Sequence, residues 1–190
     1  NVSYEFRTPL TSIMGFTELL KQPFSGPLNA KQTEYVENVY ESSVQLSSLI
    51  NDVLDLASIE AGYMTLDMHK FDICKALASV IEVAKERAKQ RNININLRCD
   101  EGSNMVFADE RRIKQVVFNI ISNAIKFTSS GGSIIVGSNK IMNNRVIWIK
   151  DSGIGISKKE QNKVFDKFYT SPTAQSSGKS GTGLGLAVVK

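Results

Sequence analysis

From Val2 to Leu20 the apolar residues Val2, Phe6, Leu10, Ile13, Phe16 and Leu20 recur at helical spacing, which predicts an amphipathic helix. Pro9 falls inside it, lacks an N–H and crowds the preceding turn, so a kink is predicted there. The stretch KQPFSGPLN then marks a loop. A second helix is predicted from residue 30 to about residue 61. Its Val39, Ser43, Leu46, Ile50, Val53 and Ala57 alternate in steps of four and three, a coiled-coil seam, and Val36, Tyr40, Leu49 and Leu54 widen the apolar face. Two helices cannot bury such wide stripes against each other alone. A second hairpin from another copy would complete a four-helix bundle. Gly62 is a natural terminator.

After Gly62 the pattern changes from long helices to short alternating pieces. YMTLDM, NININLRC, MVF, SIIVGS and RVIWIKD read as strands, the last two joined by a turn at Asn143 and Asn144. Helical patterns cover residues 73 to about 91 and 110 to about 127, and a further helix is expected over 157–165. The polar stretch YTSPTAQSSGKSGTG reads as a mobile loop rather than a plain linker, because spaced glycines end it and lead into a helix. The expected architecture is α+β: a helical hairpin over 1–64, then an α/β sandwich over 65–190.

Composition changes this picture little. The 190 residues carry a formal charge of +4, with Lys and Arg scattered, which disfavours nucleic-acid binding. No apolar run approaches the roughly 20 residues that cross a bilayer. Cys74 and Cys99 lack metal-site spacing and are expected to be buried free thiols in a reducing, cytoplasmic compartment. The single histidine, His69, is expected at an exposed loop or strand end, without a second His or a Cys cluster to support catalysis.

Candidate chemistry sits in two glycine clusters and one helix. DSGIGI at 151–156 follows a strand, and GTGLGL at 181–186 precedes a helical stretch. Glycines admit close ligand approach, and successive N–H groups at a helix start bind phosphate. Two familiar motifs fail: a P-loop needs glycine at Thr173, and a dinucleotide fingerprint needs it at Leu186. In the helix pattern 110–127, Asn119, Asn123 and Lys126 fall on one face. Two carboxamide oxygens can ligate Mg²⁺, and a lysine beside them can meet phosphate.

The set N-x-x-x-N-A-x-K, D-x-G-x-G-I, F-x-x-F and G-x-G-L-G-L, in that order and preceded by SYEFRTPL, resembles the catalytic core of sensor histidine kinases over essentially the whole chain. The resemblance implies a dimerisation and phosphoacceptor hairpin, then a GHKL or Bergerat-type ATP-binding domain. It implies that Asp151 accepts from the adenine amino group, with Gly153 and Gly155 shaping that pocket. Asn119 and Asn123 would hold Mg²⁺ and the phosphates, with Lys126 assisting. Residues 166–181 would form an ATP lid, anchored by Phe165 and Phe168. Gly181, Thr182, Gly183, Leu184 and Gly185 would admit the phosphates. The implied partners are a second copy of the chain and a response regulator receiver domain or partner kinase. The pattern also implies a piece of a longer protein, whose other parts could anchor it to the inner membrane.

One position departs from the family. Where the family has its phosphorylated histidine, after Ser3, this chain has Tyr4, followed by Glu5 as candidate general base. A tyrosine there resembles the DivL-type kinase homologues of alphaproteobacteria. Tyr, with a pKa near 10, is protonated at neutral pH, whereas His, near 6.5, offers a lone pair. Three readings stay open: a kinase-like scaffold that binds ATP and partners, a tyrosine autokinase, and a kinase with a substituted site. Thr8 is a candidate for positioning water in phosphatase chemistry, or simply bonds within the turn before Pro9. A gyrase- or Hsp90-like ATPase clamp is a further alternative. Asn119 disfavours it, standing where those proteins use a glutamate to activate water.

Overall fold

The computed structural model describes residues 2–100, 102, 104–172 and 181–189, with side chains from Glu5 onward. They form two compact units, Asn1–Met64 and Thr65–Lys190.

The first unit is an antiparallel helical hairpin. Helix α1 (Val2–Leu20) runs unbroken across Pro9, and a 3-10 turn (Pro23–Ser25) leads towards α2 (Ala30–Glu60). Asn29 starts α2 with a capping box. Its Oδ1 accepts from Gln32 N at 2.9 Å, and Gln32 Oε1 accepts from Asn29 N at 2.9 Å, which satisfies two orphan donors. Gly62, at φ 68°, ends it: Tyr63 N donates to Ser58 O and Gly62 N to Ile59 O, the paired bonds of a Schellman motif.

The predicted seam divides in two. Ser43 is buried and Ile50 half-buried, whereas Val39, Leu46 and Val53, spaced by seven, stay exposed. On α1, Leu10 and Thr17 are buried while Phe6, Ile13 and Leu20, also spaced by seven, are exposed. Each helix therefore spends one stripe on its neighbour and leaves another uncovered. Arg7 Nη2 donates to Asn51 Oδ1 at 2.7 Å, and Tyr40 Oη to Glu18 Oε1 at 3.0 Å, tying the two helices near both ends.

The second unit layers two helices on strands. Strand β1 (His69–Asp72) pairs antiparallel with β3 (Met105–Ala108). Strands β2 (Asn94–Cys99), β4 (Ser133–Ile141) and β5 (Asn144–Asp151) form a sheet in the order β2-β4-β5, parallel then antiparallel. Helices α3 (Ile73–Gln90) and α4 (Glu110–Phe127) pack over it. Each begins on an aspartate cap: Asp72 Oδ1 accepts from Cys74 N and Lys75 N, and Asp109 Oδ1 from Arg112 N. The core between the layers contains Ile73, Leu77, Ile81, Val117, Ile121, Ile134 and Val136.

Several expectations need correction. Residues 63–68 form no strand; the strand starts at His69. Tyr63, Leu66 and Met68 remain exposed, and Asp67 N donates to the Asp109 carboxylate at 3.0 Å instead of to a ladder. Residues 157–165 form successive turns rather than a helix. Only Gln161 and Val164 there make helical i−4 bonds, and Glu160 bonds the Ser157 and Tyr169 hydroxyls. The hairpin turn between β4 and β5 falls on Met142 and Asn143, one residue early. Cys74 and Cys99 are not free: they form a disulfide, with Cα atoms 6.3 Å apart, because the start of α3 lies beside the end of β2.

Candidate functional site

Helix α4 carries Asn119, Asn123 and Lys126 on one half-buried face. Two of the three reach the second glycine cluster. Asn119 Nδ2 donates to Gly185 O at 3.2 Å, and a Cβ built on Gly181 would stand 2.9 Å from Lys126 Nζ. Glycine at 181 thus leaves the space that the ammonium occupies. Lys126 is held below the usual lysine pKa, first by burial and then by the charge of Arg91. An ammonium in that setting gains from an anion.

The first glycine cluster meets the end of the same helix. Ile154 N donates to Phe127 O at 3.4 Å, and a Cβ on Gly153 would lie 2.9 Å from that carbonyl. Asp151, exposed at the end of β5, accepts from Gly153 N on Oδ1 at 2.8 Å. This bond fixes the carboxylate and leaves Oδ2 to accept from a ligand. Gly155 has φ 71°, a conformation that suits glycine.

The second cluster is braced by the segment before it. Phe168 N donates to Gly183 O at 3.0 Å, and a Cβ on Gly183 would sit 2.5 Å from the Phe168 carbonyl carbon. Both residues have positive φ, 60° and 69°. Thr182 Oγ1 accepts from Leu184 N at 3.3 Å, and Leu184 is fully buried. After it the chain makes a turn with Val188 N on Leu184 O, rather than an extended helix over the described residues. Phe165 and Phe168 are exposed. Half of the expected lid, residues 173–180, lies outside the described residues.

α4 therefore brings together Asn119, Lys126, Gly181, Gly185, Gly153 and, through Gly153, Asp151. Local pattern did not find Arg91, at the end of α3, which donates to Lys126 O at 3.3 Å. It lies 35 residues away in sequence, and only the packing of α3 on α4 reveals it. Among the described residues no group of three or more His, Cys, Asp or Glu could hold a metal. A divalent ion here would rest on the Asn119 and Asn123 carboxamide oxygens, ligand phosphates and water. The donor set is all oxygen and suits Mg²⁺. Two shallow clefts, of about 320 and 290 Å³, are lined by Glu18, Lys21, Gln22 and Tyr40, and by Gln90, Arg91, Asn92 and Thr128 to Ser130; neither holds a motif residue.

In the hairpin, Glu5 and Thr8 are exposed on α1, and Thr8 O accepts from Ser12 Oγ at 3.1 Å. The Tyr4 side chain lies outside the described residues. His69 is exposed at the start of β1. A ring nitrogen meets Asp67 O at 3.1 Å and the other faces Glu110 Oε2 at 3.5 Å.

Comparison with known proteins gives the family of the chain. Residues 1–62 match the His Kinase A (phospho-acceptor) domain, and residues 108–190 match the histidine kinase-, DNA gyrase B-, and HSP90-like ATPase family. The chain belongs to the histidine kinases of two-component systems and comprises their catalytic core. It is 34% identical over 191 residues to the circadian input-output histidine kinase CikA of Synechococcus elongatus, covering 100% of this chain and 25% of that protein. It thus spans about a quarter of that curated relative's length. The structure of full-length ShkA in complex with AMPPNP is similar over 99% of this chain and 38% of that one, with TM-score 0.78 and 33% identity. The complex of histidine kinase ThkA with response regulator protein TrrA matches 89% of this chain and 49% of that one, with TM-score 0.61 and 26% identity.

Proposed function

We propose that this chain is the ATP-binding, dimerising core of a two-component signalling protein that does not phosphorylate a histidine. It carries information by binding a response regulator or a partner kinase. The observation that supports the nucleotide reading most is the meeting of Asn119 with Gly185 and of Lys126 with Gly181, which sets two polar helix residues against a glycine cluster. The AMPPNP bound by ShkA and the regulator bound by ThkA support the ligand and the partner.

The residues divide the work. Asp151 Oδ2 accepts from the adenine amino group while Oδ1 holds Gly153 N. Lys126 contributes a partly desolvated positive charge to the phosphates. Asn119 and Asn123 offer oxygens to Mg²⁺, which neutralises phosphate charge when bound. Gly181, Gly183 and Gly185 let the backbone approach. Asn119 carries no proton-accepting carboxylate, so water is not activated there and a clamp-type ATPase is disfavoured.

At the other end of the reaction, Tyr4 replaces the imidazole. A carboxylate such as Glu5 holds a proton far less tightly than phenolate does, so it deprotonates tyrosine poorly. A tyrosyl phosphate, being a stable ester, would also pass its group to an aspartate uphill. The tyrosine-autokinase reading remains the alternative that experiment must separate.

Equilibrium titration with a fluorescent ATP analogue and Mg²⁺ tests the binding half. The native chain should bind, and Asp151→Asn should weaken binding at least tenfold, the worth of about 1.4 kcal/mol. Equal affinity in the two would remove Asp151 from the site.

A further inference from the structure

The cysteine pair stands outside the nucleotide reading and has a use of its own. α3 runs back along β2, joined to it by a tight turn at one end. There Ile93 N donates to Ala88 O at 2.9 Å and Asn92 adopts φ 55°. The opposite, open end is where Cys74, in the first turn of α3, meets Cys99, the last residue of β2. The disulfide therefore closes a helix–strand pair that the turn already closes at the other end. β2 is an edge strand among the described residues, paired only with β4. Its end at Cys99 is where the ladder stops, and Asp100 continues with N on Ser138 O and a carboxylate oxygen on Lys140 N at 2.8 Å.

The bond is not itself part of the buried core, although Cys74 packs against it. Ile73, Leu77, Val80, Ile81, Ile93, Val117, Ile121, Ile134 and Val136 supply that core from apolar side chains alone. Disulfides are indispensable where a domain is too small to build such a core. Both cysteines are half-buried rather than sealed. A bond at the rim of a core built from apolar side chains, between residues that are only half-buried, is placed to open and close in the native state.

We propose that Cys74 and Cys99 form a reversible thiol–disulfide site that pins the edge strand β2 to the start of α3 when oxidised, with small-molecule disulfides as its oxidant class. One thiolate attacks a sulfur of the external disulfide, forms a mixed disulfide and releases one thiolate. The second cysteine thiolate then attacks the protein-side sulfur, forms Cys74–Cys99 and releases the other thiolate. The external disulfide gains two electrons, the pair loses two, and the two cysteine protons go to solvent. This claim does not rest on ATP binding, so either can fail alone.

The test equilibrates the whole chain in glutathione mixtures from reduced to oxidised, quenches with an alkylating reagent and counts labels by mass. Two labels under reducing conditions, none under oxidising ones, and a folded circular-dichroism spectrum at both ends are expected. Reduction should lower the melting temperature of the α/β unit by about 10 °C. Cys99→Ser should melt like the reduced chain at every ratio. Two labels at all ratios, glutathione adducts without the internal bond, or a bond that opens only in denaturant would each overturn the proposal.

Discussion

Ile121, Ile134 and Val136 of the α/β unit are fully buried at 0% exposure, whereas Val39, Leu46 and Val53 of the hairpin stand 46–48% exposed. Both sets are branched aliphatic residues, so the difference lies in the layers available. A helix over a sheet covers a whole apolar face of each. Two helices side by side cover one stripe of each, and the second stripe stays in water. The α/β unit buries a core within a single copy, and the hairpin leaves one stripe of each helix uncovered. Chemistry divides along the same line. The proposed nucleotide residues lie in the unit that buries its own core. Tyr4 lies in the unit that leaves an apolar stripe uncovered.

The strongest way to break this comparison is to charge the uncovered stripe. Leu46→Glu with Val53→Glu should turn a dimer into a monomer by sedimentation. Each copy loses about 2 kcal/mol or more of apolar burial, and the dissociation constant should rise at least a hundredfold. Melting of the α/β unit should be unchanged. A native chain that is monomeric at high concentration would sink the idea that the hairpin is half a structure.

A smaller effect sharpens the picture inside the α/β unit. Gly183 and Gly155 share a positive φ, 69° and 71°, but only Gly183 has a backbone against it. Gly155→Ala pays for conformation alone, about 1 kcal/mol in denaturant unfolding. Gly183→Ala also drives a methyl into the Phe168 backbone, and about 3 kcal/mol is expected. Equal costs would mean that the Phe168–Gly183 contact is dispensable.

The smallest expected effect is at His69. The carbonyl of Asp67 first, and then the Glu110 carboxylate, raise its pKa above the ordinary value. A raised folded pKa means that its stabilisation is complete below the unfolded value, about 6.5, and is lost as pH rises through the folded value. The α/β unit should thus melt slightly higher at about pH 6 than at about pH 8, and His69→Gln should flatten that part of the profile. An identical profile in the variant would show that these contacts do not act on stability.

Much of this was legible in the sequence, and the reasons differ by element. Both long helices and α4 announce themselves by periodicity, which is a local signal. The glycine clusters and the Asn119–Asn123–Lys126 face are equally local. Residues 63–68 alternate like a strand but lack a partner to pair with, and alternation cannot report on that. Residues 157–165 look helical, yet hydroxyls and Glu160 compete for the turn. The disulfide, the Arg91–Lys126 bond and the Phe168–Gly183 contact join residues 25, 35 and 15 positions apart. They depend on how elements pack, and no window of the chain contains them.

The central claim is an ATP site in working order in a chain whose acceptor position cannot serve it. Labelled-phosphate incorporation from ATP tests this directly, comparing the native chain with Tyr4→Phe and Tyr4→His. The account predicts no label on the native chain or on Tyr4→Phe, and label on Tyr4→His that is lost in acid. Acid-stable label on the native chain that Tyr4→Phe abolishes would contradict it and make the protein a tyrosine autokinase.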